Sequence, residues 1–173
     1  MNYNKRKIRI YLDTSVISMI DTPHIPEMEA ITKEFFRLVT ERPDEFELLI
    51  SPVVIAEVAN CPDEKRPKLQ GLIDELQCTL LPETKEVENL VDVFLSEKVL
   101  GQKHHRDLSH IAHAVVARCD YIVSWNFKHF VNFRTISRVS AVVKEFNYGG
   151  VFIVTPETFT GERYHEINRN SDE

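Results

Sequence analysis

Four polar residues, Asp13, Glu57, Asp107 and Asn126, fall where an α/β chain can hold a catalytic or metal-binding group. Asp13 closes the run Ile8-Arg9-Ile10-Tyr11-Leu12, which is β-rich, apolar but for Arg9, and too short for an ordinary helix. Ligands of open α/β sheets bind in the crevice beyond the carboxyl ends of the strands. A carboxylate there has three open roles: catalyst, metal ligand, or turn residue, with Thr14 or Ser15 able to cap the helix that follows. Glu57 shares a side with Val53, Val54 and Val58 in a helix entered from a second strand. Asp107 lies beside an apolar helix face of Leu108, Ile111, Ala112, Val115 and Val116, and Asn126 follows a fourth strand. Acids next to buried faces are costly unless a cation or metal pairs with them. Three carboxylates meeting in one pocket repel, which should raise the pKa of at least one in the absence of a cation. A divalent ion resolves the conflict, and all-oxygen ligands suit Mg²⁺ or Mn²⁺. Such an ion activates water and polarises a phosphoryl oxygen, so phosphodiester hydrolysis is the reaction class that follows.

The elements that must position these groups are legible from periodicity. Strands are expected at Ile8 to Leu12, Glu47 to Ile50, Cys78 to Leu81, Tyr121 to Val123 and Val151 to Val154. Between them lie a short helix after Asp13 and a longer one from Glu27 that stops before Pro43. Ser51-Pro52 reads as a helix start, with the Ser oxygen as N-cap and Pro in the first turn. Leu69, Leu72, Ile73 and Leu76 mark a further helix, and Val87, Leu90, Val91, Phe94 and Leu95 a long one that Gly101 ends. Gln102 to Arg106 is expected as loop, Arg134 to Phe146 as helix, and Pro156 opens a last short helix. Strands separated by helices point to an α/β fold with a central parallel sheet of about five strands and helices on both faces. Residues 1–160 are expected to form one domain, with 161–173 a polar tail. Asp120 precedes the fourth strand and should lie at the rim opposite Asp13.

Composition narrows the function classes. Of 173 residues, 43% are hydrophobic and 28% charged, as in soluble globular proteins. No apolar run approaches a membrane span, and the basic start lacks the apolar region of a secretory signal. Three cysteines without a C-x-x-C pair fit reduced thiols in a cytoplasmic protein. Net charge is −6, which argues against broad non-specific nucleic-acid binding but leaves room for a local basic groove. Lys98, Lys103, Arg106 and Lys128, with His104, His105 and His129, cluster in sequence around the candidate site. There are only five glycines and no glycine-rich phosphate loop, which argues against nucleoside-triphosphate binding. A zinc site on Asp107, His110 and His113 finds no support in a Cys pair or a His-Glu-x-x-His pattern. His110 is expected to orient a neighbouring acid and His113 to lie on a helix surface. Phe35-Phe36 and Phe94-Leu95 are expected in the core or at a homodimer contact.

Four segments carry a family resemblance. Ile-Tyr-Leu-Asp13-Thr-Ser-Val-Ile, Ser51-Pro-Val-Val-Ile-Ala-Glu57-Val, Asp107-Leu-Ser-His110-Ile-Ala-His-Ala and Cys119-Asp-Tyr-Ile-Val-Ser124-Trp-Asn126-Phe-Lys-His resemble the PIN-domain family in order and separation, over about residues 8 to 155. The resemblance implies a three-layer α/β/α PIN-like fold and a metal-dependent ribonuclease. Many PIN domains are the toxin half of VapC-type toxin–antitoxin pairs, so it also implies an RNA substrate and a cognate antitoxin. By it, Asp13, Glu57 and Asp107 are the metal-binding acids, and Ser124 matches the small hydroxyl two residues before the fourth acidic position. At that position many members have Asp, whereas this chain has Asn126, which offers a carbonyl oxygen but adds no charge. Ser15, Ser124, Trp125, Arg106 and Lys128 are candidates for contact with single-stranded or structured RNA, Trp125 through base stacking unless it serves packing. The rival reading is a catalytically weakened PIN-like module that binds RNA or protein.

Overall fold

The computed structural model describes residues 6–161. Five strands form one wholly parallel sheet: β1 (Ile8–Leu12), β2 (Phe46–Ile50), β3 (Thr79–Leu80), β4 (Tyr121–Val123) and β5 (Phe152–Val154), in the order β3-β2-β1-β4-β5. The helices are α1 (Thr14–Met19), α2 (Pro26–Thr40), α3 (Pro52–Ala59), α4 (Arg66–Glu75), α5 (Lys85–Ser96), α6 (His105–Val116), α7 (Phe133–Glu145) and α8 (Glu157–Thr160). They flank the sheet in a three-layer α/β/α arrangement, as expected from parallel strands that each need a crossover. No helix among the described residues is long and apolar enough to cross a membrane.

The chain builds outward from β1 in both directions. The strands β2 and β3 lie on one side of it and β4 and β5 on the other, so strand order reverses between β1 and β4. That junction is the topological switch point, where the diverging connections leave a crevice. Leu12 pairs with Val123 in register, which brings Asp13 and Ser124 side by side at its mouth. Central position explains why Ile10, Tyr11 and Leu12 are wholly buried. The polar exception, Arg9, is opposite Glu47 in register and pairs with it at 3.0 Å. Asp120 lies at the other end of the strands, where it accepts from the Arg9 backbone N–H at 2.8 Å and pairs with Arg6.

Several boundaries differ from the sequence reading for identifiable reasons. The third strand is two residues long, because only Thr79 and Leu80 find partners on β2. The expected loop Gln102 to Arg106 instead holds a 3-10 turn, Gln102–His104, and the first residues of α6. Gly101 does not stop α5. The chain turns three residues earlier, at Lys98, in the left-handed region with φ 54°, and Val99 N–H closes back on Phe94 carbonyl. Arg118 and Asn147 end α6 and α7 in the same way, each followed by a residue whose N–H bonds five positions back. Phe35, Phe36 and Phe94 are buried in the core, which rules out the dimer-contact option for them. Apart from Gly161, the expected tail lies outside the described residues.

At the far end of the core, Phe159 of α8 packs on Phe35, Phe46 and Tyr121 at ring-centroid separations of 5.3, 6.3 and 5.1 Å. It thereby fastens the short α8 to α2 and the sheet. Phe159→Ala should cost about 3–5 kcal/mol in urea denaturation, while Phe133→Ala, at a position 88% exposed, should stay within about 0.5 kcal/mol. Equal effects would show that α8 is not part of the cooperative core.

Candidate functional site

The carboxyl end of β1 delivers Asp13 into the switch-point crevice. Asp13 occupies the N-cap position of α1 with extended backbone, but its side chain makes no capping hydrogen bond. Its Oδ2 instead accepts from Ser15 Oγ at 2.5 Å and from Ser124 Oγ at 2.7 Å, and the residue is only 4% exposed. Ser15 and Ser124, expected as substrate contacts, thus spend their hydroxyls holding one oxygen of Asp13 in place. The other oxygen, Oδ1, points toward His110 Nε2 at 3.8 Å.

Glu57 comes in from α3 and is partly buried. Its Oε2 accepts from the Thr14 hydroxyl and lies 3.1 Å from His110 Nε2. Contrary to the sequence reading, Ser51 at the N-cap of α3 makes no capping hydrogen bond with its side chain. The reason is the buried Tyr11 phenol, which needs a partner and finds Ser51 Oγ at 2.6 Å. Tyr11 OH also meets His110 Nδ1 at 2.7 Å. A chain of contacts therefore runs Ser51–Tyr11–His110–Glu57–Thr14, with Asp13 beside the imidazole. If the ring carries both protons, it donates to Glu57 and to Tyr11, which in turn donates to Ser51, and no buried atom in the chain is left unmatched.

The electrostatics follow from this geometry. Burial lowers the His110 pKa, but the hydrogen bond to Glu57 and the charges of Asp13, Glu57 and Asp107 outweigh it, so the net shift is upward. Burial likewise raises Glu57, and the His110 hydrogen bond and charge, the Thr14 hydroxyl and the Arg106 charge reverse it, leaving Glu57 below its ordinary value. The expected raised carboxyl is not what Glu57 shows. The imidazole, 1% exposed, lies beside both acids, and its upward shift favours the charged form as their partner, where the sequence reading looked to a divalent ion to resolve the conflict.

Asp107, in the first turn of α6, faces a different set of neighbours. Its Oδ2 lies 3.1 Å from His104 Nδ1 and 3.0 Å from His129 Nδ1, and its Oδ1 is 3.4 Å from Asn126 Nδ2. Two donor groups result, Asp13 with Glu57 and His110, and Asp107 with His104 and His129. Within each group the ligand atoms lie within 4.8 Å of one another. Ser124 and Asn126 bridge them: Ser124 Oγ donates to Asp13 and accepts from Asn126 N–H at 2.9 Å, while the Asn126 amide reaches Asp107. Asn126 Oδ1 accepts from His129 N–H at 3.0 Å, which fixes the amide with its NH₂ toward Asp107. Its carbonyl oxygen is therefore committed to the loop.

Trp125 is 7% exposed, and its indole N–H donates to Thr32 Oγ1 of α2 at 2.8 Å, so packing accounts for it and a stacking face does not. His113, expected on a helix surface, is 1% exposed and accordingly belongs to the packed interior of α6, with Nδ1 at 2.8 Å from the Ser109 carbonyl oxygen. Arg106 and Lys128 are both exposed, the first on the opening turn of α6 and the second in the loop after β4. Sequence reasoning missed His104 and His129 as partners of Asp107. The i−3 spacing of His104 was a usable signal, whereas His129 arrives through a turn that only the fold defines.

No protein-family model and no curated protein matches this chain. Among solved structures it is similar to VapBC2 from Rickettsia felis bound to a DNA fragment from their promoter, with TM-score 0.53 and 14% identity over 85% of this chain and 98% of that one. It is also similar to VapBC-1 from nontypeable Haemophilus influenzae, with TM-score 0.51 and 17% identity over 77% and 93% of the two chains. The chain has a PIN-domain, VapC-like fold.

The His110–Glu57 pair makes metal-free stability depend on pH. A raised His110 contributes fully below its ordinary value of 6.5 and loses its contribution as pH climbs through the raised value. A lowered Glu57 contributes above its ordinary 4.5 and loses that contribution as pH falls through the lowered value. The pair therefore stabilises most between those ordinary values. In chelator, wild type should lose more stability than His110→Gln between about pH 5.5 and 8.5 in urea denaturation. Superimposable pH profiles would remove the charge account of His110.

Proposed function

We propose that this protein is a divalent-metal-dependent endoribonuclease that hydrolyses RNA phosphodiester bonds, the toxin component of a toxin–antitoxin pair restrained by a cognate antitoxin. The observation that carries the reading is the convergence of Asp13, Glu57 and His110 at the carboxyl end of the central strand, with Asp107 linked in through Asn126 and Ser124. Likeness of fold to chains of two VapBC assemblies supports the toxin and antitoxin part.

The donor chemistry fits a hard divalent cation. Two carboxylates with an oxygen each turned toward a common positive group make a site in which a metal ion replaces the charge of an imidazolium. Of the three acids expected to hold Mg²⁺ or Mn²⁺, Asp13 and Glu57 share one donor group and would hold the ion, while Asp107 reaches it only through Asn126 and Ser124. When bound there, the ion lowers the pKa of a coordinated water and offsets charge on the phosphodiester. The protein's own part is placement. Ser15 and Ser124 restrain Asp13 Oδ2 and leave Oδ1 free to ligate, while Thr14 restrains Glu57. Arg106 and Lys128, exposed on segments that carry site residues, supply cationic contacts for the RNA backbone in an otherwise acidic protein.

One observation favours the rival reading of an RNA- or protein-binding module. Asn126 turns an NH₂ rather than a charge toward Asp107. Asn126→Asp separates the two, because an acid there keeps an acceptor for His129 N–H and sets a second oxygen against Asp107. In chelator this variant should be less stable than wild type, and Mn²⁺ should restore it. Cleavage of labelled single-stranded RNA in Mg²⁺ or Mn²⁺ should be retained or raised in Asn126→Asp. It should fall by more than about 100-fold in Asp13→Asn, beyond the range seen for partners that merely support a ligand. Wild-type cleavage that survives both chelator and Asp13→Asn would defeat the metal nuclease reading. Cutting by Asn126→Asp but not by wild type would establish the rival.

A further inference from the structure

We propose that His104, Asp107 and His129 form a separate site for a divalent cation of the imidazole-preferring class, Zn²⁺ foremost, at the mouth of the crevice. The proposal rests on this donor set, which shares Asp107 with the acids of the nuclease reading but takes its other two donors from histidines that reading does not use. His104 ends the 3-10 turn, Asp107 is on the first turn of α6, and His129 is on the loop after β4, so three successive pieces of local structure each deliver one donor. Both Nδ1 atoms aim at the same carboxylate oxygen, at 3.1 and 3.0 Å, and all three donor atoms lie within 4.8 Å of one another. Bonds of about 2.0–2.1 Å to an octahedral or tetrahedral ion set neighbouring donors about 2.8–3.4 Å apart, so the 3.1 and 3.0 Å separations already fall in that range.

Asn126 supplies an independent argument. Its NH₂ lies on the Oδ1 side of Asp107, where a positive amide edge repels a cation, and its own carbonyl oxygen is committed to His129 N–H. A cation at Asp107 is thereby directed to Oδ2, the side that the two histidines occupy. The same hydrogen bond sets the backbone from which His129 projects. The His129 ring stacks near His104, with centroids 4.0 Å apart, and its Nε2 is buried without a hydrogen-bond partner. Two imidazoles and one carboxylate suit Zn²⁺ or Co²⁺ better than Mg²⁺, and three protein ligands leave a coordination position open to water or to a phosphate oxygen.

The test uses the full chain, stripped of metal, with Asp13→Asn as background to weaken the neighbouring acidic group. Titration with Co²⁺ should develop a visible d–d absorption band at one equivalent, which Zn²⁺ displaces. Adding His104→Gln or His129→Gln should weaken Co²⁺ binding by at least about tenfold, the scale expected when a ligand is lost. A band and stoichiometry indifferent to both substitutions, or no Co²⁺ bound in the Asp13→Asn background, would overturn the site and leave the three residues a hydrogen-bonded cluster. Paramagnetically shifted ring protons in Co²⁺-loaded wild type check the same point without relying on a variant to fold. The shifts should fall on two histidines that are neither His110 nor His113, and shifts confined to His110 would count against the proposal. Neither readout needs RNA cleavage, so an inactive protein that binds Co²⁺ this way would refute the nuclease reading and leave this one standing.

Discussion

Two acids at the buried end of a central strand need a nearby positive charge, and the architecture of the crevice is arranged around that need. Asp13 cannot turn to solvent, because two serine hydroxyls hold one of its oxygens and the strand above it is sealed. Glu57 approaches from another helix and is held by Thr14. His110 meets both, and the network behind it, through Tyr11 to Ser51, converts a requirement of charge into one of hydrogen-bond direction. Desolvation alone would discharge such a cluster. The partners reverse that tendency for Glu57 and His110 together, so each group shifts the other toward its charged form.

Sheet topology explains why the cluster sits where it does. In the order β3-β2-β1-β4-β5, the connection after β1 departs toward one edge and that after β4 toward the other. The Leu12–Val123 pair is the last before they part, and the next residue on each strand is a site residue. A one-residue slip between β1 and β4 would exchange faces and separate Asp13 from Ser124. Register here is therefore a functional constraint as well as a packing one.

The strands, the parallel sheet and the acids at its rim were legible in the sequence because each depends on local pattern. Ile8 to Leu12 and Tyr121 to Val123 have no helical alternative of sufficient length, and Asp120 was assigned to its rim by position alone. Chain ends of helices were harder. Lys98, Arg118 and Asn147 adopt left-handed backbone without being glycine, so Gly101 misled. Grouping of the acids was harder still. Three carboxylates were expected around a common centre, but side-chain reach and the Asn126 amide divide them, with Asp107 drawn to His104 and His129. Ser51 was assigned to a helix cap because no sequence rule announces that a phenol on β1, 40 residues earlier in the chain, will claim its hydroxyl first.

Trp125 is the sole tryptophan of the chain, and it stands between the two residues that bridge the donor groups, Ser124 and Asn126. Its backbone N–H is bonded to Ser15 Oγ at 2.9 Å and its indole to Thr32 on α2. The protein thus carries a single tryptophan fluorophore wired by one hydrogen bond to the shell of Asp13 and by another to a flanking helix. Emission from this ring reports on the crevice without an introduced label, and its quenching or spectral shift registers any ligand that alters the Ser15–Ser124 hydroxyl pair or moves α2 against the sheet.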